Sequence, residues 1–404
     1  VHFASGRGAA RGEGTHAAHL PEPHVTPEIV KTAPYSHVPA AAARAVADFF
    51  ARYLPAAGAP PPDAEAVAAI VDTAFWASLL REEGRSPRIS LALVPPELAG
   101  EPLQFEHPFP LAPAPLARLA PAVERPGIHL GVWRHGSEMC VWGATRVLPD
   151  LCLVLEVVEP GLLVLKYRRA EEFGKYGNIA VLRGNRMDVL DQVSTCLPGC
   201  DGEGDVPAGL RLDSRASRVE LRPELVQLAI SMREHGRGGS LLVVPAGADE
   251  WRESIVKPVP YAVAPSFSTL AGLLDAVPPE PEHGAWQEDV RHLVDAVAGL
   301  TAVDGAAVMT DDYAILAFGA KIMRRDGFAA VERITVTEPV LGNVPQVVAP
   351  SQLGGTRHLS AAQFVSDQRD ALALVASQDG RFTVFAWSPA EDMVHAHRME
   401  ALLL

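Results

Sequence analysis

The sequence predicts two unlike halves: helices plus a mostly antiparallel sheet in the first (α+β), and an α/β mixed sheet flanked by helices in the second. Three observations carry this. Short runs rich in Val, Leu, Ile and aromatics crowd residues 127–190, each set off by Gly, Pro or Asp, which is strand punctuation. From residue 223 onward, segments with helical apolar spacing alternate with short apolar runs, the pattern of helices laid on a sheet. Between them "TCLPGCDGEGDVPAG" (195–209) is small, acidic and without period, so it marks a boundary. The expected organisation is a disordered leader over 1–35, a first domain over 36–195, a linker over 196–212 and a second domain over 213–404.

Taken in order, "PAAAARAVADFFARYL" (39–54) and "DAEAVAAIVDTAFWASLLREE" (63–83) read as helices parted by the breaker "PAAGAPPP". "RISLALVPP" reads as a strand, and the proline clusters of 95–126 as a loop-rich connection. "GIHLGVWR", "EMCVWGAT", "LCLVLEVV", "GLLVLKYR" and "NIAVLRG" follow as strands, with "EPG" (159–161) a tight turn between two of them. Trp133 and Trp142 fit sheet packing. In the second half "PELVQLAISMREHG" is a helix that stops at Gly236, Gly238 and Gly239, and "GSLLVVP" is a buried strand. "EDVRHLVDAVAGLTAV" is a further helix. "DGAAVM", "YAILAFGAKI", "RITVTEPV", "DALALVAS" and "RFTVFAW" complete the sheet, with hairpins at "TDD" (310–312) and "QDG" (378–380).

Composition narrows the function. Hydrophobic residues are 48% and charged residues 21%, ordinary for a soluble globular chain. The formal net charge of −14 argues against nucleic acid or an acidic membrane as partner, since both would be repelled. No apolar run approaches the ~20 residues that span a bilayer, and the opening lacks the apolar core of a signal peptide. A cytoplasmic location is expected. Cys140, Cys152, Cys196 and Cys200 show no disulfide framework, and Cys196 with Cys200 has no second pair at zinc spacing. Reduced thiols are expected.

Chemistry gathers in the second half. "GGTRHLSAAQFVSDQ" (354–368) sets two glycines, Gly354 and Gly355, and the triplet Thr356-Arg357-His358 ahead of a helical pattern. A helix start with free N–H groups attracts anions, and arginine grips phosphate bidentately. Asp304-Gly305-Ala306 stands where a helix meets a buried strand. A carboxylate followed by open backbone suits a metal ion and a ribose. Ser377 ends a strand beside a hairpin.

The order "GGSLLVVP", "LTAVDGAAVM…AILAFGAKI", "GTRH", "DALALVASQDGRFTVF" resembles the diadenylate cyclase domain over about 224–388. Upstream, "HLGVWRHGSEMCVWGATR", "LEVVEPGLLVLKYRR" and "GKYGNIAVLRGN" resemble a DACNV-type sensor domain over roughly 40–190. The first resemblance implies an enzyme that joins two ATP molecules into cyclic di-AMP. It implies that Asp304 binds Mg²⁺ or Mn²⁺ and helps activate a ribose 3′-hydroxyl. Gly305 and Ala306 would line the nucleotide, Ile322 would pack against adenine, and Gly355, Thr356, Arg357 and His358 would hold the triphosphate. Ser377 falls where the family has a further phosphate or metal contact. Because one domain of that family holds one ATP, cyclisation implies a face-to-face homodimer.

One position departs. The resembled family reads Arg-His-Arg, and here the third residue is Leu359, so one phosphate contact is missing or comes from elsewhere, with Arg324, Arg325, Arg369 and Arg381 as candidates. That departure leaves a nucleotide-binding sensor without catalysis as the alternative function. His395 and His397, alternating in "VHAHR", have no third ligand in view and read as a solvated or partner-contacting strand.

Overall fold

The computed structural model describes residues 38–53, 60–82, 84–125, 127–168, 176–191, 210–214, 217–276 and 283–404. The expected leader, most of the expected linker, Cys196 and Cys200 lie outside them. Helices α1 (Ala40–Tyr53) and α2 (Ala64–Ser78) form as their spacing predicts. Asp63 caps α2 by accepting from the Ala66 amide at 2.7 Å, the ordinary N-cap geometry. Strands β1 (Ser90–Leu93) and β2 (Leu103–Pro110) follow, then helix α3 (Pro113–Leu119). The stretch expected to be a loop-rich connection thus holds a strand and a helix. Pro113 sits at the first turn of α3, where no N–H is lost, and Pro108 and Pro110 on an edge strand.

Strands β3 (His129–His135), β4 (Glu138–Thr145), β5 (Leu153–Glu159), β6 (Leu162–Arg168), β7 (Tyr176–Arg183) and β8 (Arg186–Val189) complete the first sheet. Its order is β2-β4-β3-β1-β5-β6-β7-β8, antiparallel except where β1 lies parallel to β3. The three helices bury Val46, Phe50, Ile70, Val71 and Leu116 against one face, on Leu91, Leu130, Leu155, Leu163 and Leu165. On the other face Trp142 lies over Gly131, and its Nε1 donates to the Val94 carbonyl at 2.8 Å. A β-carbon at Gly131 would lie 2.1 Å from that indole, so the glycine makes room for the tryptophan. Cys140 and Cys152 are free thiols, the second pushed up to about 12 by burial.

A two-stranded ribbon, β9 (Leu210–Ser214) and β10 (Ser217–Leu221), leads to helix α4 (Pro223–Glu234) and strand β11 (Gly239–Val244). Then come β12 (Tyr261–Phe267), α5 (Thr269–Asp275), α6 (His283–Leu300), β13 (Ala306–Thr310), β14 (Ile315–Ala320), β15 (Ile334–Thr337) and β16 (Gln346–Val348). The chain closes with α7 (Pro350–Leu353), α8 (Thr356–Asp367), β17 (Leu372–Ala376), β18 (Phe382–Ser388) and β19 (Met393–Arg398). The second sheet is mixed, in the order β12-β14-β13-β11-β17-β18-β19-β15-β16. Helices α4, α5 and α6 cover one face around Leu228, Leu241, Val294 and Met309. Helix α8 covers the other with Ala361, Phe364 and Val365 on Leu242, Val308 and Phe385. The chain therefore carries two mixed sheets flanked by helices, as the sequence predicts, within one compact unit, His37–Leu404. Among the described residues no helix is long and apolar enough to cross a membrane.

Candidate functional site

Register decides where the motifs meet. β11 and β13 run parallel with Leu241 opposite Ala307, while β11 and β17 are antiparallel with Gly239 opposite Ala376. The turn before β13 (Asp304-Gly305), the turn before β11 (Arg237-Gly238) and the turn after β17 (Ser377) therefore emerge at one end of three adjacent strands. The hairpin of β13 and β14 pairs Ala306 with Ala320, bringing Lys321 to the same edge.

Glycines form the floor. Gly305 has φ +124°, and a β-carbon there would lie 2.4 Å from the Gly319 carbonyl carbon. Gly319 has φ +66° and lies under the Tyr261 ring, which is half exposed and stacks on Phe318 at 4.8 Å. Only glycine fits both the conformation and the contact.

Helix α8 brings the anion loop to this floor. Gly355 is its N-cap residue and offers no side-chain cap, so Thr356 is the first helical residue rather than the cap. The leading N–H groups point outward without a capping oxygen, as at any helix start. Thr356 is exposed and Arg357 half-buried. The Arg357 Nη1 lies 3.0 Å from where a Gly238 β-carbon would stand, beside the Ala376 carbonyl and Gln378. Gly238 is thus more than the helix stop expected: with φ +71° it leaves the guanidinium its place. The signal is a second glycine, placed two residues beyond Gly236, which follows α4.

Asp304 and Arg357, 53 positions apart in sequence, come close enough for the guanidinium charge to act on the carboxylate. The Asp304 carboxylate is 91% exposed and bonds the Lys321 Nζ at 2.6 Å. Its carboxyl is held below the usual aspartate range, first by that Lys321 contact and also by Arg357. Lys321 is the residue that reading the motifs singly misses; the hairpin register from "DGA" to "AKI" is the signal that finds it.

His358 points inward. It is buried, its ring seated on Gly354 and edge-on to Phe385 at 6.1 Å. Burial lowers its pKa, with smaller effects from Asp379, Arg381, Arg398 and Glu400. Ser377 is half-buried; its amide donates to the Arg381 carbonyl at 2.9 Å and its hydroxyl to Asp379. Ile322 is half-buried, bridging Ile255 and packed on the core beneath α8. The structure therefore gathers Asp304, Gly305, Ala306, Gly355, Thr356, Arg357 and Ser377 at one edge, with His358 beneath the loop and Ile322 one residue beyond Lys321.

His395 and His397 correct an expectation. Both lie on β19 between β18 and β15, and both are buried rather than solvated. His395 Nε2 bonds Glu391 at 2.7 Å and His397 Nδ1 bonds the Thr337 hydroxyl at 2.8 Å. Exclusion of water by the flanking strands holds the His397 pKa down to about 3, the His395 ring adding to it. Among the described residues no three His, Cys, Asp or Glu side chains gather as a metal cage.

The family model described as "Probable sensor domain DACNV" matches residues 56–146, inside the span whose sequence resembles that domain. No curated protein matches the chain. Among solved structures, a double cysteine mutant of DacA from Staphylococcus aureus matches at 14% identity and a TM-score of 0.22. The match covers 43% of this chain and 83% of that one, and so low a TM-score carries no weight here.

Proposed function

We propose that this edge of the second sheet holds ATP and that the protein joins two ATP molecules into a cyclic dinucleotide, cyclic di-AMP, with the first half acting as a sensor module. The observation that carries the reading is the convergence of Asp304, Arg357 and the uncapped start of α8 on one glycine floor. A carboxylate, a guanidinium and helix N–H groups are what a metal-bound triphosphate requires. The resemblance of the motifs names the reaction, and the sensor-family match over 56–146 supports the role of the first half.

In that reaction a ribose 3′-oxygen forms a bond to the α-phosphorus of the other nucleotide as the bond to pyrophosphate breaks. The hydroxyl proton is released, and a second such transfer closes the ring with loss of a second pyrophosphate. Arg357 and the first N–H groups of α8 would hold the charged phosphates, and Ile322 would offer the base an apolar contact. His358, buried and neutral, would fix the loop from below rather than touch phosphate. One carboxylate suits Mg²⁺ or Mn²⁺, which keep waters and lean on substrate phosphates; bound there, the ion would polarise the phosphates and the attacking hydroxyl. Asp304, held below the usual range, is a poor proton acceptor near neutral pH. Its part is to hold cations. Each chain offers one such edge, so the reaction needs a second copy face to face.

Leu359 favours a second reading, in which the nucleotide binds without turnover: an exposed apolar residue stands where the resembled family has arginine. Purified protein incubated with ATP and Mn²⁺ or Mg²⁺, with products weighed by mass spectrometry, separates the two. Cyclic dinucleotide lost in Asp304→Asn supports the enzyme. ATP binding with no product at any protein concentration supports the sensor.

A further inference from the structure

We propose that Lys321 supplies the phosphate-binding charge that Leu359 lacks, with Asp304 holding its ammonium in place; the proposal rests on the nucleotide reading above. Arg324, Arg325 and Arg369 are committed or distant, while Arg237, in the turn before β11, and Arg381, which acts on His358, are the nearer rivals. Arg325 pairs with Glu253 at 2.6 Å, and its amide donates to Asp367, the last residue of α8. Arg324 also acts on Asp367. That end of the 12-residue helix is roughly 16 Å from the anion end at 1.5 Å per residue. Arg369 lies over the Trp387 ring at 3.9 Å and pairs with Asp392, at the opposite edge of the sheet, where β17 begins. Arg381 makes an equally exposed pair with Asp379 at 3.3 Å and acts on His358, but it stands just before β18, two strands further from β13 than β11 is.

Lys321 differs in place and in freedom. The pairing of Ala306 with Ala320 sets it level with Gly305, and its Nζ meets Asp304 at 2.6 Å. Lysine and aspartate side chains are 49% and 91% exposed, so the pair stands open to a ligand and adds little to stability. An ammonium has three donors; Asp304 takes one, and two remain for phosphate oxygens. Arg357 adds its positive charge at the same carboxylate, so an anion bound beside Asp304 lies in the field of both cations. Asp304 keeps the flexible lysine from swinging away before it arrives.

Calorimetric titration of the full chain with ATP and with inorganic tripolyphosphate, both in EDTA, tests this. Lys321→Met should weaken both ligands about tenfold or more, the scale of a lost charge-assisted contact. Lys321→Arg should keep most of the affinity, and adding Leu359→Arg to Lys321→Met should restore it. Melting temperature should barely change in any variant. If wild type binds and Lys321→Met binds equally well, or if Arg381→Met alone carries the loss, Lys321 is not the missing contact. A wild type that binds neither ligand in EDTA overturns this proposal, and one that also fails to bind ATP with Mg²⁺ overturns the nucleotide reading.

Discussion

At Arg357 the fold spends nothing on the guanidinium that a ligand could not use. Beside Gly238 it makes no carboxylate bond among the described residues, and its charge acts on the exposed Asp304. Arg357→Ala should therefore cost about 1.5–3 kcal/mol in ATP binding and little in stability. Titration calorimetry beside a melting curve checks both; a large fall in melting temperature without ligand would mark a structural residue. Gly305 should behave in the opposite way. Alanine there would need φ near +124° and would press its β-carbon to 2.4 Å from the Gly319 backbone. Gly305→Ala should lose at least about 2 kcal/mol of folding stability, seen as a lower denaturant midpoint. An unchanged midpoint would mean that the floor yields. Of these residues, the sequence made Asp304, Thr356 and Arg357 legible because motif chemistry is local. Lys321 and Gly238 were not, since their meaning lies in register and in the far side of a turn.

Among the elements, β19 carries the acid response of the fold. An unfolded histidine takes a proton near 6.5, whereas the buried His397 resists one until about 3. Its contribution is complete above pH 6.5 and is lost as pH falls from there toward 3. Between pH 7.5 and 5 the loss should be about 2 kcal/mol, with His358, also lowered by burial, adding in the same direction. Urea midpoints at the two pH values measure it, and His397→Gln should flatten the dependence; an equal drop in that variant would move the cause elsewhere. The same scale shows where sequence reading fails. Buried strands such as β11 were legible because every residue but Ser240 is apolar. β2, "LQFEHPFP", and β12, "YAVAPSF", are the outer strands of their sheets, almost wholly exposed and interrupted by proline. An outer strand has no buried face to write an alternating pattern, and its free side tolerates proline. The histidines of β19 misled for the converse reason: polarity in the sequence hid burial by neighbours far along the chain.

Across the whole molecule the two sheets are joined, among the described residues, by bonds between 189–191 and 339–341 and through the segment after β19. Leu190 bridges Val340, the Asp191 amide donates to the Pro339 carbonyl, and the Leu341 amide to Val189. The Asn178 amide of β7 donates to the carbonyls of Ala401, Leu402 and Leu404, and Arg233 of α4 donates to that of Leu403. Beside them Arg398 pairs with Glu338 and with Glu400, and those same two side chains, Arg398 and Glu400, act on His358 beneath the anion loop. The segment after β19 is thus shared: the first sheet holds its carbonyls through Asn178, and the charge of Glu400 reaches His358 at the start of α8. Coupling of this kind is reciprocal, because a free energy that lets one site bias another must let the second bias the first by the same amount. Filling the edge with nucleotide should accordingly be felt at a distance, as slower amide hydrogen exchange along residues 176–191, and an Asn178→Ala change should weaken that response more than it weakens nucleotide binding. Exchange there that ignores the nucleotide would mean that the two sheets, though joined, keep separate accounts of what they bind.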